Sequence, residues 1–432
     1  MAFPMWSDRS PKRAILSMLA IAGMMAAPAA ADSIKVDHSL EAVQTLATGI
    51  DDGEADFAKL EIRPDFNVRF NRAWRADVAL RFEGATGDTG LGSVETYGDV
   101  SRPLTLGPDA RIEIDEATLS WRKRSSRLTL GKQTFAWGVL DGLQVTDRFD
   151  AVRRREAVFT EQRPQRISKW GARAEFNRAG VRWDIAASFD GTSDQPANPG
   201  DTYAVRAPRF RAGVPAGAPL PDLRVVTPDE PTLGIRGSRR IGGSDFSALV
   251  IHGPDTEPVF RPASTGVTLE YDMRTLVGAT WQTSAGARVW RVETAWVPDQ
   301  PVNLEGPSLA TDTRSRWLAG AGVDWDLPND LFLNAQLGVD HVDGDELVRP
   351  NTDVISTLRI QRSFSNQTWN ASAELLGSLT DGDGTFRPAL SWQANDRLRL
   401  QAGLDLVWGD EDGIFGQFRD TDRAWFKVRW MV

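Results

Sequence analysis

The ten residues WRADVALRFE, from Trp74 to Glu83, alternate between two chemical characters without interruption. Every second side chain is apolar, namely Trp74, Ala76, Val78, Leu80 and Phe82. The side chains between them are those of Arg75, Asp77, Ala79, Arg81 and Glu83, four of which are charged. A period of two predicts a β-strand, because successive side chains of a strand point to opposite faces. The sheet therefore needs one apolar face and one face that suits charged groups.

The same alternation recurs toward the C-terminus and predicts an all-β chain. Comparable segments lie at residues 181–190, 317–325, 331–340, 369–375, 397–408 and 426–432. Many predicted strands run about 9–12 residues, the length that a tilted transmembrane strand needs, whereas strands of soluble proteins commonly have about 5–6 residues. A closed barrel is the sheet that can span a bilayer, with its apolar phase toward lipid and its polar phase toward a wet lumen.

The connectors between predicted strands are of two kinds. Tight, turn-forming connectors lie at residues 71–73, 123–126, 177–180, 242–245, 328–330 and 395–396. Long polar connectors lie at roughly 84–109, 136–169, 190–231, 298–315 and 409–422. Strands joined alternately by short and long connectors form an up-and-down meander with the tight turns at one end. The pattern therefore predicts a transmembrane antiparallel up-and-down β-barrel.

The number of strands is predicted to be 16 to 18, with 18 favoured. About eighteen candidate strands can be counted, including short ones such as residues 267–273. Barrels of this kind in bacteria have even strand numbers. We place the barrel at residues 58–432, and the N-terminal segment 32–57 holds the candidate first strand, His38–Thr48.

The first 31 residues have the pattern of a secretory signal peptide. A basic segment that ends at Arg13 precedes the apolar run from Ala14 to Ala27, and small residues follow up to Ala31. This arrangement of charge, apolar run and cleavage site is typical of export signals. The alternative, an anchoring helix, needs about 20 apolar residues, which this run does not have.

Composition restricts the class of function further. The chain has 432 residues, a net charge of −9 and no cysteine, which excludes disulfides and thiolate chemistry. The acidic balance argues against nucleic acid as a partner. Sixteen tryptophans stand against three tyrosines. Tryptophans near strand ends suit the aromatic girdles of membrane barrels, and they include Trp74, Trp183, Trp317, Trp325 and Trp408.

Connector 136–169 is rich in arginine and also holds an apolar run. Its candidate constriction residues are Arg148, Arg153, Arg154, Arg155, Arg163 and Arg166. Long loops without secondary structure of their own are usually functional or disordered, and the aromatic Phe135, Trp137 and Phe149 favour a packed loop. We predict that it folds into the lumen and narrows it, since charged rings set selectivity in pores. The alternative is a solvated external loop whose charges pair with one another.

A set of charged residues on the inward phases is predicted to line the lumen. These residues are Arg75, Asp77, Arg81, Glu83, Arg173, Glu175, Arg291, Glu293, Arg399, Lys427 and Arg429. Opposite charges can satisfy one another across a wet wall, or they can form a transverse field that acts on solutes. Both interpretations are compatible with the pattern.

Two stretches resemble a known family. The run LGKQTFAWGVLDGLQVTD, Leu130 to Asp147, is similar to a strand-plus-loop motif of porin-like bacterial outer-membrane barrels, including the alginate-export type and uncharacterised relatives. The stretch from Phe415 to Arg423, which leads into Trp425–Val432, resembles their last external loop and closing strand. The chain departs from that pattern at Trp430-Met431-Val432, where such barrels usually end in phenylalanine.

The resemblance implies a porin-like channel in the bacterial outer membrane. It would pass small hydrophilic solutes, anionic ones included, by diffusion or weakly selective facilitated transport. Its expected partners are outer-membrane lipid and lipopolysaccharide, the barrel-assembly machinery during biogenesis, and the solutes themselves; nucleic acid is not among them. No cofactor, metal or catalytic residue is predicted.

Other functions remain open at this point. A closed barrel could act as a surface binding or adhesion protein, and a soluble periplasmic β-protein is a further alternative. An outer-membrane hydrolase would need His252 beside Asp255, or His341 beside Asp340 and Asp343, to be aligned with a nucleophile. The acidic connectors could bind divalent cations, although solvated loop tips explain their composition equally well.

Overall fold

The structure is a computed structural model that describes residues 34–50, 57–87, 90–156, 165–215, 218, 222–306 and 308–432. The predicted signal peptide 1–31 lies outside the described residues. Eighteen long strands make up the wall. They are β1 Lys35–Gly49, β2 Phe57–Arg69, β3 Trp74–Gly87, β4 Ala110–Lys123, β5 Ser126–Gln133, β6 Lys169–Arg178, β7 Val181–Ser188, β8 Thr232–Ile241, β9 Ser244–Pro254, β10 Met273–Ala285, β11 Arg288–Asn303, β12 Thr311–Leu327, β13 Leu331–Val342, β14 Thr352–Phe364, β15 Trp369–Ser378, β16 Asp383–Gln393, β17 Leu398–Trp408 and β18 Arg423–Met431.

Each of these strands pairs antiparallel with its neighbours in the sequence, and the sheet closes on itself. The closing pair joins β1 to β18, with Glu41 opposite Met431 and Gly49 opposite Arg423. Strand β1 also pairs with β2 along nearly its whole length. The predicted all-β, up-and-down antiparallel barrel with 18 strands is confirmed. Strand β1 lies in the N-terminal segment 32–57 and includes the candidate first strand, His38–Thr48.

The stretch that opened the sequence analysis shows why the sheet closes with its apolar face outward. In β3, Val78 is 38% exposed and Phe82 36%, whereas Arg81 is 7% exposed and Glu83 is 2%. The apolar phase thus faces outside and the charged phase faces the lumen, as expected of a barrel in lipid. No helix within the described ranges has the length and apolar character of a membrane span.

Aromatic side chains gather at the tight-turn end of the barrel. Phe364, Trp369 and Trp392 stack in a row, with ring centroids 6.3 and 5.7 Å apart. On the same rim, Trp74 lies opposite Trp121. Nearer the long-connector end of the wall, Trp296 stacks on Trp317, with ring centroids 5.5 Å apart. Amphipathic rings at these levels are typical of the two membrane–water interfaces.

One predicted connector and one predicted strand differ from the structure. Most of residues 298–315 belong to β11 and β12, which extend beyond their neighbours, and the connector itself is short. The predicted strand at 267–273 is not in the wall; Val267–Glu270 pairs instead with Leu223–Val226 and Val259–Pro262 in a small separate sheet. Alternation marks a strand but does not distinguish a wall strand from a strand within a loop.

Candidate functional site

The described residues of the long connector after β5, 134–156 and 165–168, lie inside the barrel; they are called inner loop 1 below. Its buried Phe135, Trp137, Val145 and Phe149 form one apolar cluster with inward side chains of the wall. The wall residues of this cluster are Ala186, Leu249, Ile251, Leu276, Ala295, Val297 and Leu318. The predicted inward-folding segment 136–169 thus contacts a patch of the lumen wall that is apolar instead of wet. Burial of these aromatic rings stabilises the docked position.

Backbone hydrogen bonds to one wall carboxylate hold the middle of inner loop 1. Glu293, predicted to line the lumen, accepts from the N–H groups of Val139, Leu140 and Thr146, the last two at 2.7 and 2.9 Å. The Thr146 hydroxyl adds a further bond of 2.7 Å. Gly320 gives the loop room, since a Cβ there would lie 2.5 Å from Leu140 Cδ1. Glu293 is therefore an anchor of the loop and is buried beneath it.

Asp150, a buried acid of inner loop 1, has a hydrogen-bond partner among the described residues for only one of its two carboxylate oxygens. Asp150 Oδ2 accepts a bond of 2.6 Å from the Phe135 N–H, while Oδ1 has no hydrogen-bond partner among the described residues. Burial raises the pKa of Asp150 to about 7, against smaller opposing effects of the Phe135 N–H, Lys169 and Arg173. Removal from water disfavours the charged carboxylate, so the carboxyl group titrates near neutral pH.

Two arginines of inner loop 1 form buried ion pairs with the barrel wall. Arg155 Nη2 lies 2.5 Å from Glu83 Oε1, and Arg111 Nε donates to Glu83 Oε2 at 2.6 Å. Arg153 Nη2 lies 2.7 Å from Glu113 Oε2. The side chains of all five residues are at most 2% exposed. We call Glu83, Arg111, Glu113, Arg153 and Arg155 the sealed cluster, because their side chains are almost fully buried.

A second group of charged residues is partly open to solvent. Arg148 Nη1 lies 3.1 Å from Glu257 Oε1, and Arg316 Nη1 lies 3.1 Å from Glu257 Oε2. Arg154 stands beside them and binds Asp194 at 2.6 Å. The side chain of Glu257 is 40% exposed and that of Arg154 is 48% exposed. We call Arg148, Arg154, Arg316 and Glu257 the open cluster.

The arginines of the open cluster lower the pKa of Glu257. Arg316, Arg148 and Arg154 together outweigh the effect of burial and hold the pKa of Glu257 well below its usual range. Opposite charges within a few ångströms favour the ionised form in this way. Glu257 is therefore a permanent anion at neutral pH.

Two of the predicted constriction residues remain. The guanidinium of Arg166 contacts the carboxylate of Asp147 within inner loop 1. Arg163 lies outside the described residues. Of the six predicted arginines, Arg148 and Arg154 are therefore in the open cluster, Arg153 and Arg155 are in the sealed cluster, and Arg166 pairs within its own loop.

Below inner loop 1, a cavity of about 470 Å³ opens against the wall of β2 to β6. Its lining has six arginines, three carboxylates and six uncharged polar residues, and no apolar side chain. The lining arginines are Arg63, Arg81, Arg127, Arg153, Arg166 and Arg173. Cations therefore outnumber anions two to one in this lining.

Several other predicted lumen residues pair across the inner face of the wall. Asp77 binds Arg75 at 2.7 Å, Arg81 binds Glu61 at 2.7 Å and Asp115 at 3.1 Å, and Arg173 binds Asp184 at 2.6 Å. Similar pairs join Glu175 to Arg182, Arg291 to Asp324 and Arg429 to Glu41. Arg399 donates to Gln393, and Lys427 lies over the Trp425 ring. Much of the lumen wall is therefore electrically balanced.

Described residues of a second connector, 189–215, also contact the inner face of the wall; they are called inner loop 2 below. It docks on β14 to β18, where Tyr203 packs with Val407, Phe415 and Phe418. The Tyr203 hydroxyl accepts a bond of 2.8 Å from Arg423. Arg209 forms ion pairs with Asp353 and Asp381. This connector was predicted to be long and polar, but its inward course was missed.

The two inner loops contact each other. The Arg154 N–H donates to the Gln195 carbonyl at 2.7 Å, and the Gln195 N–H donates to the Val152 carbonyl at 2.9 Å. The ion pair between Arg154 and Asp194 lies at the same junction. Two loops that dock on opposite parts of the wall are therefore joined in the lumen.

The two histidines considered for catalysis lie on outward phases of the wall. His252 Nδ1 is 3.0 Å from the Thr275 hydroxyl, and His341 Nδ1 is 2.8 Å from the Thr352 hydroxyl. Asp255, the proposed partner of His252, is buried on the inner side and pairs with Arg274 at 2.8 Å. Within the described ranges, no group of three or more histidine and carboxylate ligands could hold a metal ion.

Comparison with known proteins identifies the type of barrel. No family model matches the chain, and no curated protein matches it either. The fold is similar to that of OccAB2 of Acinetobacter baumannii, with TM-score 0.52, 10% identity and coverage of 92% of this chain and 98% of that chain. OccAB1 and OccAB4 of the same organism give TM-scores of 0.51 and 0.50 at 8% and 9% identity. They cover 93% and 92% of this chain, and 96% and 98% of theirs.

The chain forms a closed β-barrel of the type found in bacterial outer membranes. At such identities the likeness concerns the fold, and the lipid-facing exterior and closed 18-stranded wall agree with it. The barrel is of the porin-like type.

Proposed function

We propose that this barrel is a channel for small hydrophilic solutes and that it prefers anions. The observation that carries the proposal is the cavity below inner loop 1, where six arginines face three carboxylates and no apolar side chain intervenes. Charged linings of this kind set ion preference in pores. Catalysis has no role in the proposal.

A planar-bilayer recording of the refolded barrel under a salt gradient tests the proposal. The expected result is a steady conductance with a reversal potential that shows anion preference. Arg127→Gln should reduce this preference, because Arg127 lines the cavity and makes no ion pair with described residues. Arg72→Gln, in the exposed turn between β2 and β3, is the matched control and should leave the reversal potential unchanged. A cation preference in the unmodified barrel would overturn the anionic part of the proposal.

A second candidate function is supported by the joined inner loops. Because inner loops 1 and 2 dock on opposite parts of the wall and bind each other, the lumen could be held closed. The barrel would then act as a gated transporter or as a surface binding protein. A folded barrel, recognised by its shift in gel mobility on heating, that conducts nothing in the bilayer would favour this alternative.

A further inference from the structure

A second cavity, of about 640 Å³, opens on the inner face of β14 to β18 near the tight turns of the barrel. Its size is within the range of pockets that hold small molecules. Nine of its fourteen lining residues are polar and uncharged, against two arginines and one aspartate. The cavity below inner loop 1 is lined by six arginines instead. The two cavities therefore offer different chemistry to a solute.

Strand pairing places four of the uncharged side chains in one row across the wall, called the amide row below. Ser363 lies opposite Asn370, and Asn370 in turn lies opposite Ser391. Ser391 lies opposite Gln401. Directly paired residues of antiparallel strands have their Cβ atoms about 5 Å apart on the same face of the sheet. The amide row is therefore a continuous strip of hydroxyl and amide groups.

Several groups in this cavity keep their hydrogen-bonding capacity for a solute. The side chains that make no hydrogen bond with described residues are those of Gln361, Ser372, Ser391 and Gln401. All four are partly exposed. Amides and hydroxyls both donate and accept hydrogen bonds. The cavity therefore matches a solute that carries several hydroxyl groups and no charge.

An aromatic ring continues the lining on the neighbouring strand. Gln361 lies opposite Ser372, and this second row passes through Ala389 to Gly403, which lies opposite Trp425. A Cβ at residue 403 would be 2.4 Å from Cζ2 of Trp425. The ring therefore lies close against the inner wall because residue 403 has no side chain.

The position of the Trp425 ring suits contact with a sugar. Its Nε1 donates to Asp405 Oδ1 at 3.3 Å, which fixes the ring plane, and the side chain is partly exposed. Lys427 Nζ lies 5.6 Å from the ring centre; its flexible stem lets this donor follow a hydroxyl group. A fixed aromatic face offers apolar contact to the C–H face of a sugar ring.

We propose that this cavity binds an uncharged saccharide, whose ring lies on Trp425 and whose hydroxyl groups bind the amide row and Gln361. The inference adds a second class of solute to the proposed channel. It rests on that function for the route of the solute through the barrel, whereas binding is measured without conduction.

The experiment is a saturation-transfer NMR titration of sucrose against the refolded full chain, in a detergent without a sugar headgroup. Gln401→Leu should weaken binding roughly fivefold, the effect of losing one typical hydrogen bond. Gln44→Leu is the matched control, since Gln44 lies opposite Leu60 and Val428 on the outward face, and it should leave the affinity unchanged.

The aromatic contact is tested in the same way. Trp425→Leu should weaken sucrose binding about tenfold, because the leucine cannot replace the flat ring face. Trp430→Leu, on the outward phase of the same strand, is its control and should have no effect. If Trp425→Leu does not fold, Gln401→Leu decides the proposal by itself.

Salt separates this site from recognition by arginines. The affinity for sucrose should stay constant between about 20 and 300 mM salt, because screening acts on charges and sucrose has none. Succinate should not compete. A fall of affinity with salt, or competition by succinate, would assign the signal to the arginine-lined surfaces and overturn the proposal.

Two further results would overturn it: no saturable sucrose binding by the unmodified barrel, or equal affinities in Gln401→Leu and Gln44→Leu. Conductance recorded on the same preparations separates this proposal from the channel. Saturable sucrose binding without conductance would keep the site and reject the channel. Anion-selective conductance without sucrose binding would keep the channel and reject the site.

Discussion

The sealed cluster and the open cluster contain the same residue types, yet they differ in exposure and in the strength with which they hold the chain. In the sealed cluster, Arg153 and Arg155 reach wall carboxylates and every side chain is at most 2% exposed. In the open cluster, Glu257 and Arg154 are each more than a third exposed. The first cluster fixes inner loop 1 to the wall, and the second leaves two of its charged groups, Glu257 and Arg154, exposed.

The difference arises within three consecutive residues. The segment Ala151–Val152 pairs with Arg166–Ile167, and its extended course continues through Arg153, which bridges to Gln195. Alternate side chains of an extended segment point to opposite sides. Arg153 and Arg155 therefore face the wall, while Arg154 faces inner loop 2. A run of identical arginines thus divides into an anchoring pair and an exposed cation.

The largest effect is expected from breaking the sealed cluster. Arg155→Gln removes one of the two guanidinium partners of the buried Glu83, which keeps Arg111, and should lower the free energy of unfolding by about 3 kcal/mol, the upper value for hydrogen bonds to a charged group. Tryptophan fluorescence during urea unfolding in lipid vesicles measures the change. Arg154→Gln is the adjacent control, with an expected loss of less than about 1 kcal/mol. Equal losses in the two variants would contradict the distinction between the clusters.

The second effect concerns the pH dependence of inner loop 1. The pKa of Asp150 is raised from 3.8 to about 7, so the folded state retains a proton that the unfolded chain loses. Stability should therefore be highest at acid pH and fall as pH rises toward 7, by roughly 2–3 kcal/mol between pH 5 and pH 8. Asp150→Asn should remove this dependence. An identical slope in the variant would show that another group is responsible.

A smaller effect is expected at the anchor of inner loop 2. Tyr203→Phe keeps the aromatic packing against Phe418 and removes the hydroxyl that accepts from Arg423, which retains its pair with Asp405. The free energy of unfolding should fall by about 1 kcal/mol, the net value of a typical hydrogen bond. Current fluctuations in the bilayer should increase if this loop limits flow. A loss of several kcal/mol would mean that the hydroxyl supports more than this one contact.

The smallest effect on stability is expected at the open cluster. Glu257→Gln should change the free energy of unfolding by about 1 kcal/mol, because the Glu257 side chain is 40% exposed and exposed ion pairs contribute little to stability. Tryptophan fluorescence during urea unfolding in lipid vesicles measures the change. A marked loss of stability would place Glu257 among the structural anchors.

The fold could be predicted from sequence because an alternation with a period of two residues indicates directly which face of the sheet each residue occupies. Trp74 to Glu83 alone indicated a sheet with lipid on one side and charge on the other. Phe135, Trp137 and Phe149 also indicated a need for an apolar partner, which buried wall residues of their cluster supply.

The partners of the charged residues could not be predicted, because they lie far away in the chain. Arg155 pairs with Glu83, 72 residues earlier, and Arg148 pairs with Glu257, 109 residues later. Inner loop 2 lacks a conspicuous apolar run, and its anchor Arg209 meets Asp353, 144 residues away. Local patterns specify exposure and conformation, whereas these contacts depend on how the wall brings distant strands together.

The contact between the inner loops has a mechanical consequence. An empty cylinder of eighteen strands can flatten into an ellipse at little energetic cost, because its hydrogen bonds run around the circumference. Inner loop 1 reaches from β5 to the wall at β7–β12, inner loop 2 reaches to β14–β18, and the two are bonded at Gln195. The two joined loops therefore connect these parts of the wall across the lumen. The cross-section of this barrel should therefore be stiff, and solutes should meet a passage of constant width.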